Sequence, residues 1–365
     1  LWLAPPCMTR TLDLEITALA FGGDGVARDG GRVVFVPFTV PGDRVRVRIT
    51  REEKNLLRGQ VEEVLQAGPG RVPAPCPYFG HCGGCQTQHM DYETEVVWKE
   101  RQVRETLERI GRMQDPPVAP LLRSPEPYHY RNRITVHLRN GAVGFLGRDG
   151  RELVDVEHCL LAEEEVNDAL WQLRRRPPTG RERWTLRAGG VEGHAFYQTN
   201  RFLLEALRAR VMEAVDVRVP GLVEGYCGVG FFTEVLAPRF QRTAAIELTP
   251  RAAAMAEAKG LPGTTVFQGR CEDWWPQAWN TVRGEEGAVA LVDPPREGLG
   301  ASLLGELLRL PFRQLVYLSC NPATLARDLA RLAPRWKLQR VEPVDLFPRT
   351  AHIECLAVLR PLELN

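Results

Sequence analysis

From about Phe196 onward the chain alternates apolar strand-like runs with helical stretches, and no other feature narrows the possible folds as much. The runs are Leu222 to Tyr226, Thr243 to Ile246, Thr264 to Phe267, Ala288 to Val292, Gln314 to Leu318 and Leu356 to Leu359. Such alternation argues an α/β architecture, a largely parallel sheet with helices on its faces. Open sheets of this kind bind ligands at the rim formed by the strands' carboxyl ends. The loops that follow these runs are therefore where chemistry is expected.

Upstream the pattern differs. Residues 9–67 read as short strands between glycine and proline turns: Leu12 to Leu19, Val33 to Pro37, Val45 to Ile49 and Gln60 to Leu65, with Gly22-Gly23-Asp24-Gly25 and Pro41-Gly42-Asp43 between them. That punctuation argues a small five-stranded barrel of a type that commonly binds nucleic acid. Val72 to Met90 is rich in Pro and Cys and poor in periodic apolar residues, so it reads as a metal-organised loop. Tyr92 to Met113 is predicted helical, with Val96, Val97, Val103, Leu107 and Ile110 sharing one face and prolines 116, 117 and 120 ending it. Strand-like segments return over 128–195, among them Ile134 to Leu138, Val143 to Leu146 and Trp184 to Ala188.

Composition excludes whole classes. With 44% apolar and 25% charged residues in 365, disorder is a poor reading. No run approaches the ~18 apolar residues of a spanning helix, and Leu1 to Cys7, which precede Met8 and receive no role, lack the basic start of a signal peptide. A cytosolic protein without membrane partners is expected. That compartment keeps thiols reduced, so the nine cysteines call for metal binding or catalysis rather than disulfides. The net charge of +1 hides local asymmetry. Arg44, Arg46 and Arg48 alternate with valines and project from one strand face, with Arg51, Lys54 and Arg58 close behind; this face is either solvated or an RNA-facing stripe.

Five constellations carry chemistry. Cys76, Cys82 and Cys85 lie close together, and Gly83 and Gly84 let the backbone wrap a soft metal centre. Cys159 is the best candidate for a fourth ligand. Zinc is the alternative to iron–sulfur, with His81 or His89 as a ligand. Next, Glu224-Gly225-Tyr226-Cys227-Gly228-Val229-Gly230 follows a strand and opens a helix. Its glycines allow close approach of a nucleotide-type cofactor, and Glu247 ends the next strand where a carboxylate can hold ribose hydroxyls. Asp293-Pro294-Pro295-Arg296-Glu297-Gly298 forms a rigid loop at the rim, where Asp293 either points into a site or caps a turn. Ser319-Cys320-Asn321-Pro322 places a cysteine just before a helix whose amides can lower its pKa; the other reading is a buried structural thiol. Last, Thr350-Ala351-His352-Ile353-Glu354 offers His352 or Glu354 as a general base.

In this order the motifs resemble the RNA uridine-C5 methyltransferase family, over nearly the whole chain from Thr9. Gly22-Gly23-Asp24-Gly25-Val26-Ala27 and Val36-Pro37-Phe38-Thr39-Val40-Pro41-Gly42-Asp43 are similar to the family's TRAM domain, and Phe196-Tyr197-Gln198-Thr199-Asn200 to the string that opens its catalytic domain. The resemblance implies TRAM over 9–67, a small β-rich iron–sulfur domain over 68–90 and 119–195, and a Rossmann-like methyltransferase domain over 91–118 and 196–365. It also implies a [4Fe-4S] cluster on Cys76, Cys82, Cys85 and Cys159, and S-adenosylmethionine held by Gln198, Tyr226, Gly228, Gly230, Glu247 and Asp293. Cys320 would add to C6 of uracil so that C5 can take the methyl group, and Glu354 would remove the C5 proton. The base is expected to be flipped from its stack, with Phe196 as a stacking partner.

The TRAM and cluster pair is similar to the branch acting on 23S ribosomal RNA, with transfer RNA as alternative substrate and a monomer as the expected state. Glu224 stands where the family usually has Asp, Phe232 brings no polar contact for the methionine part, and Gly269-Arg270-Cys271-Glu272 leaves the adenine contacts unassigned. A catalytically silent RNA-binding protein is the reading from another class, and intact Cys320 and Glu354 speak against it. A radical enzyme would need a different cysteine spacing.

Overall fold

The structure, a computed structural model, describes residues 10–178, 180–188, 190–191 and 198–362. Phe196 and Tyr197 lie outside them. Three sheets follow one another along the chain.

The first comprises β1 (Thr11–Glu15), β2 (Ala18–Leu19), β3 (Gly25–Asp29), β4 (Arg32–Val36), β5 (Arg44–Glu52) and β6 (Leu56–Gln66), ordered β1-β5-β6-β4-β3-β2. It surrounds a core of Leu14, Ile16, Ala27, Val34, Val36, Val45, Val47, Ile49 and Leu57. There are thus six strands rather than five: the run Leu12 to Leu19 breaks where Ile16 N–H donates to the Asp43 carbonyl, and β3, which none of the named runs covers, follows the glycine turn. The arginines of β5 alternate outward as expected, yet Arg46 is bridged to Asp13 and Glu63, and Arg48 to Glu62. This face is largely neutralised and is not a free cationic stripe.

Helix α1 (Tyr92–Arg109) starts where Asp91 caps it by accepting from Thr94 N–H at 2.7 Å. It ends sooner than expected, and its buried face carries Val96, Val103 and Leu107, whereas Val97 and Ile110 are exposed. The next sheet holds β7 (Arg133–Arg139), β8 (Ala142–Leu146), β9 (Leu153–Asp155), β10 (Arg183–Arg187) and β11 (Gly190–Val191). A helix not anticipated, α2 (Glu164–Arg175), covers it through Val166, Ala169, Leu170 and Leu173.

The last sheet is built by β12 (Gly221–Gly225), β13 (Arg242–Glu247), β14 (Thr264–Gln268), β15 (Ala288–Val292), β16 (Gln314–Ser319), β17 (Trp336–Val344) and β18 (Glu354–Pro361), ordered β14-β13-β12-β15-β16-β18-β17. The first five pair in parallel, while β18 pairs antiparallel with both of its neighbours, β16 and β17. Its helices are α3 (Leu204–Ala214), α4 (Thr233–Leu236), α5 (Pro250–Glu257), α6 (Cys271–Val282), α7 (Ala301–Arg309) and α8 (Pro322–Leu332). β12 and β15 are fully buried, as strands covered on both faces must be. The strand order reverses between them, which is where such sheets open a binding crevice. α1 joins this core through Val103 and Leu107. Among the described residues no helix is long and apolar enough to cross a membrane.

Candidate active site

A cavity of about 670 Å³ opens above this crevice, lined by Gln198, Tyr226, Gly228, Glu247, Asp293, Cys320 and Glu354. Residues spread over more than 150 positions of sequence thus converge on one space. Gly230 is the exception. A side chain there would meet Lys259 and Ala256, and its φ of 79° makes it a turn former rather than a wall of the cavity.

The loop after β12 turns through left-handed backbone at Tyr226 (φ 63°) and Gly228 (φ 57°). Glycine suits position 228 because of this left-handed φ; no protein atom lies where its side chain would start, so the backbone stays open to the cavity, and its N–H donates to Glu247 Oε2 at 3.0 Å. Tyr226 carries real strain, which the Cys227 N–H bond to the Ile246 carbonyl at 3.0 Å helps to hold. Thr249 N–H donates to the other Glu247 oxygen at 2.7 Å, so two backbone amides fix this carboxylate at the strand end. Glu224 does not reach the cavity. It is buried within β12, where desolvation pushes its carboxyl up to about 8, and its Oε2 has no partner among the described residues.

Across the crevice, Asp293 follows β15 and Cys320 follows β16. A small set of α8 side chains staples these two loops together. Asn321 Nδ2 and the Thr324 hydroxyl both donate to the Arg296 carbonyl, at 3.3 and 3.2 Å, and Arg327 donates to the Glu297 carbonyl at 2.7 Å. Fully buried Asp328 accepts from Leu299 N–H at 2.8 Å and from the Tyr317 hydroxyl at 2.9 Å. Asn321 also caps α8 through Ala323 N–H. The ladder between β16 and β18 pairs Ser319 with Cys355, which leaves Cys320 and Glu354 side by side at the rim.

The electrostatics revise one expectation. Burial, then Glu354 and Asp293, push the Cys320 thiol up to about 11, against which Arg296 and the local amides count for less. Helix amides therefore do not make this cysteine a thiolate at rest. Burial likewise pushes Asp293 up to about 7, and burial together with Asp293 holds Glu354 well above the usual carboxylate range. Glu354 Oε1 is buried without a partner among the described residues, as befits a group awaiting a ligand. His352 fits a base role poorly. It is not among the lining residues, and burial beside Arg296 pushes it down to about 4.

Several positioning residues escaped the sequence reading. The opposite wall of the cavity is Arg133, Ile134, Thr135 and Phe145 from the second sheet, with Arg131 just before β7. The segment leading into Glu354 is anchored by buried charge: Lys99 reaches Asp345 at 2.7 Å and Glu95 at 2.8 Å, and Arg349 reaches Glu95 at 3.4 Å. Glu95 and Lys99 resemble an ordinary helix-surface pair in sequence, so only the fold reveals them as interior.

Cys76, Cys82, Cys85 and Cys159 surround a second, smaller cavity, which shares Arg131 and Phe145 with the first. None of the four is paired in a disulfide. Among the described residues no three ligating side chains converge as they would on a single ion. His89 is turned away, with Nε2 at 3.1 Å from the Thr39 carbonyl, and neither it nor His81 lines this cavity. The lining thus offers four sulfurs, a set that suits an iron–sulfur group, with the His158 imidazole beside Cys159 as the nitrogen donor that also lines it. Next to it, Gln86 Oε1 accepts from Ala351 N–H at 3.1 Å and Gln86 N–H donates to the Arg349 carbonyl at 3.0 Å, tying the cysteine loop to the segment before Glu354.

Residues 286–361 match the tRNA (Uracil-5-)-methyltransferase family, and residues 7–61 match the TRAM domain. An uncharacterized RNA methyltransferase of Bdellovibrio bacteriovorus is 32% identical, the match covering 97% of this chain and 96% of that protein. One from Aquifex aeolicus is 30% identical, with 96% and 98% covered. The fold is similar to that of the Pyrococcus abyssi tRNA (uracil-54, C5)-methyltransferase in complex with S-adenosyl-L-homocysteine, with a TM-score of 0.70, 22% identity and 95% and 99% of the two chains covered. With its TRAM domain, its uracil-5 catalytic segment and relatives matched from end to end, the chain belongs to the RNA (uracil-C5) methyltransferase family, whose enzymes take their methyl group from S-adenosylmethionine.

Proposed function

We propose that this enzyme methylates C5 of a uridine in 23S ribosomal RNA through a covalent bond between Cys320 and C6 of the base. The observation that carries the reading is the shared cavity of Cys320, Glu354 and Asp293, with the Gly228 turn and Glu247 beside them. Gln198, Tyr226, Gly228, Glu247 and Asp293 hold the cofactor, and Gly230 shapes the loop. S-adenosylmethionine supplies the methyl group on a sulfonium, whose positive charge favours ionisation of nearby acids.

Cys320 then gives up its proton to water at the open mouth of the cavity, its sulfur bonds to C6, and the C5–C6 π electrons move toward O4. A protonated Asp293 can donate a hydrogen bond to that oxygen, which a carboxyl titrating near neutrality allows. C5 takes the methyl group. Glu354, as carboxylate, removes the C5 proton; the double bond re-forms and expels the Cys320 sulfur. Once the sulfonium charge is gone, burial and Asp293 again favour protonated Glu354, so the base is strongest at the step that needs it.

Cys76, Cys82, Cys85 and Cys159 would hold the [4Fe-4S] cluster, and Arg131 would face it. We further place TRAM at 9–67, the cysteine unit at 68–90 and 119–195, and the methyltransferase unit at 91–118 and 196–365, in a cytosolic monomer. Transfer RNA is the second substrate reading, since the Pyrococcus abyssi enzyme shares the architecture from end to end. Mapping 5-methyluridine in RNA from a strain lacking the gene separates the two. Loss of a mark in 23S RNA is expected, and loss confined to transfer RNA would overturn that choice.

A further inference from the structure

A groove of about 630 Å³ runs between the outer face of the β3–β4 hairpin and α1, on a side of the barrel the β5 arginines do not reach. Its walls follow from register and helical spacing. Val26 pairs with Phe35 and Arg28 with Val33, so these four side chains share the outward face of the hairpin. Thr106, Arg109 and Ile110 present the matching face of α1, and Gln102 ties the helix to the barrel through the Leu19 and Ala20 carbonyls at 3.2 and 3.0 Å.

Two properties point to an occupant. Phe21 at the groove is 46% exposed and Ile110 equally so, an apolar surface that a folded chain has no internal reason to leave open. Arg28 and Arg109, both exposed, flank it, and neither side chain has an ion pair or hydrogen bond among the described residues, whereas the acid of the lining, Glu105, is bridged to Arg101 at 2.6 Å. Of the other barrel arginines, Arg32, Arg46, Arg48, Arg51 and Arg58 each meet a carboxylate, while Arg44 at the start of β5 is exposed without such a partner among the described residues but stands away from the groove. Unpaired guanidiniums beside exposed rings are the combination that binds single-stranded nucleic acid, phosphate on the cations and base on the aromatic face. The groove is also lined by Ala323, three residues after Cys320, so a strand lying there is close in the fold to the loop that attacks the target base.

We propose that this groove binds unpaired nucleotides of the RNA substrate adjacent to the methylated uridine, with Arg28 and Arg109 on phosphates and Phe21 stacked on a base. The inference rests on the RNA methyltransferase reading and deepens it.

The test uses the full chain and a labelled oligouridine, read by fluorescence anisotropy across a salt series. Arg28→Gln with Arg109→Gln is expected to weaken binding roughly tenfold at low salt and to flatten the log–log salt slope by about 1.4, from ~0.7 per phosphate contact on a single strand. Phe21→Ser is expected to weaken binding about tenfold without changing the slope, because stacking releases no counterions. Arg46→Gln, on the ion-paired face, should match wild type. Wild-type affinity and slope in the double variant would overturn the proposal, as would an equal loss in Arg46→Gln. If wild type forms the Cys320 adduct with RNA while the groove variants bind normally, the groove inference alone falls; if wild type neither binds oligouridine nor forms the adduct, the functional reading falls with it.

Discussion

Replacing Glu354 by Gln is expected to slow turnover by about 10²–10⁴-fold, the usual contribution of a positioned general base, and to turn the enzyme into a trap for its own substrate. Gln keeps the size of the side chain but cannot accept the C5 proton. Cys320 can still add to C6, and C5 can still take a methyl group. Elimination then fails. A band containing protein and methylated RNA should therefore persist on a denaturing gel with ordinary uridine, and Cys320→Ala should lack it. A Glu354→Gln enzyme that turns over normally, or stalls without a covalent band, would show that another group removes the proton.

Replacing Lys99 by Met is expected to have the largest effect on stability, a loss of about 3–5 kcal/mol, as when one partner of a buried ion pair is removed. Lys99, Glu95 and Asp345 have side chains at most 5% exposed. Two cations, Lys99 and Arg349, balance the two carboxylates Glu95 and Asp345 inside the protein. Without Lys99 the carboxylates would face each other with Arg349 as their only cation, and the Tyr92 hydroxyl bond to Asp345 could not replace it. The same change should loosen the segment from Asp345 to Glu354, because Lys99 also donates to the Phe347 carbonyl at 3.1 Å. Urea unfolding measures the first effect. An unchanged midpoint would mean that the network contributes nothing net.

The catalytic half was legible because its chemistry sits at strand ends, where an apolar run stops abruptly in a loop of polar, Gly or Pro residues. Asp293, Glu247 and Cys320 each announced themselves this way. Strand β17 did not, since Lys337, Gln339, Arg340 and Glu342 interrupt it and Pro343 lies within it, the composition of an edge strand. Helix α2 carried a readable signal in Val166, Ala169, Leu170 and Leu173, spaced for one helical face. The thiol of Cys320 shows the limit of local reasoning. Its position before α8 suggested a lowered pKa, but burial beside two carboxyls from distant strands outweighs the helix. Arg131 was illegible for a similar reason: only the fold places it between the cysteine cavity and the catalytic one.

The central claim is that Cys320 bonds to the base, and RNA containing 5-fluorouridine tests it most directly, since the fluorine at C5 cannot be removed as a proton. With S-adenosylmethionine present, the enzyme should form a stable adduct that peptide mapping places at Cys320. Because burial, then Glu354 and Asp293, push that thiol up to about 11, the ionised fraction, and with it the rate of adduct formation, should climb as pH is raised through neutrality. An adduct that survives Cys320→Ala, or no adduct at any pH with RNA that wild-type enzyme methylates, would contradict the account.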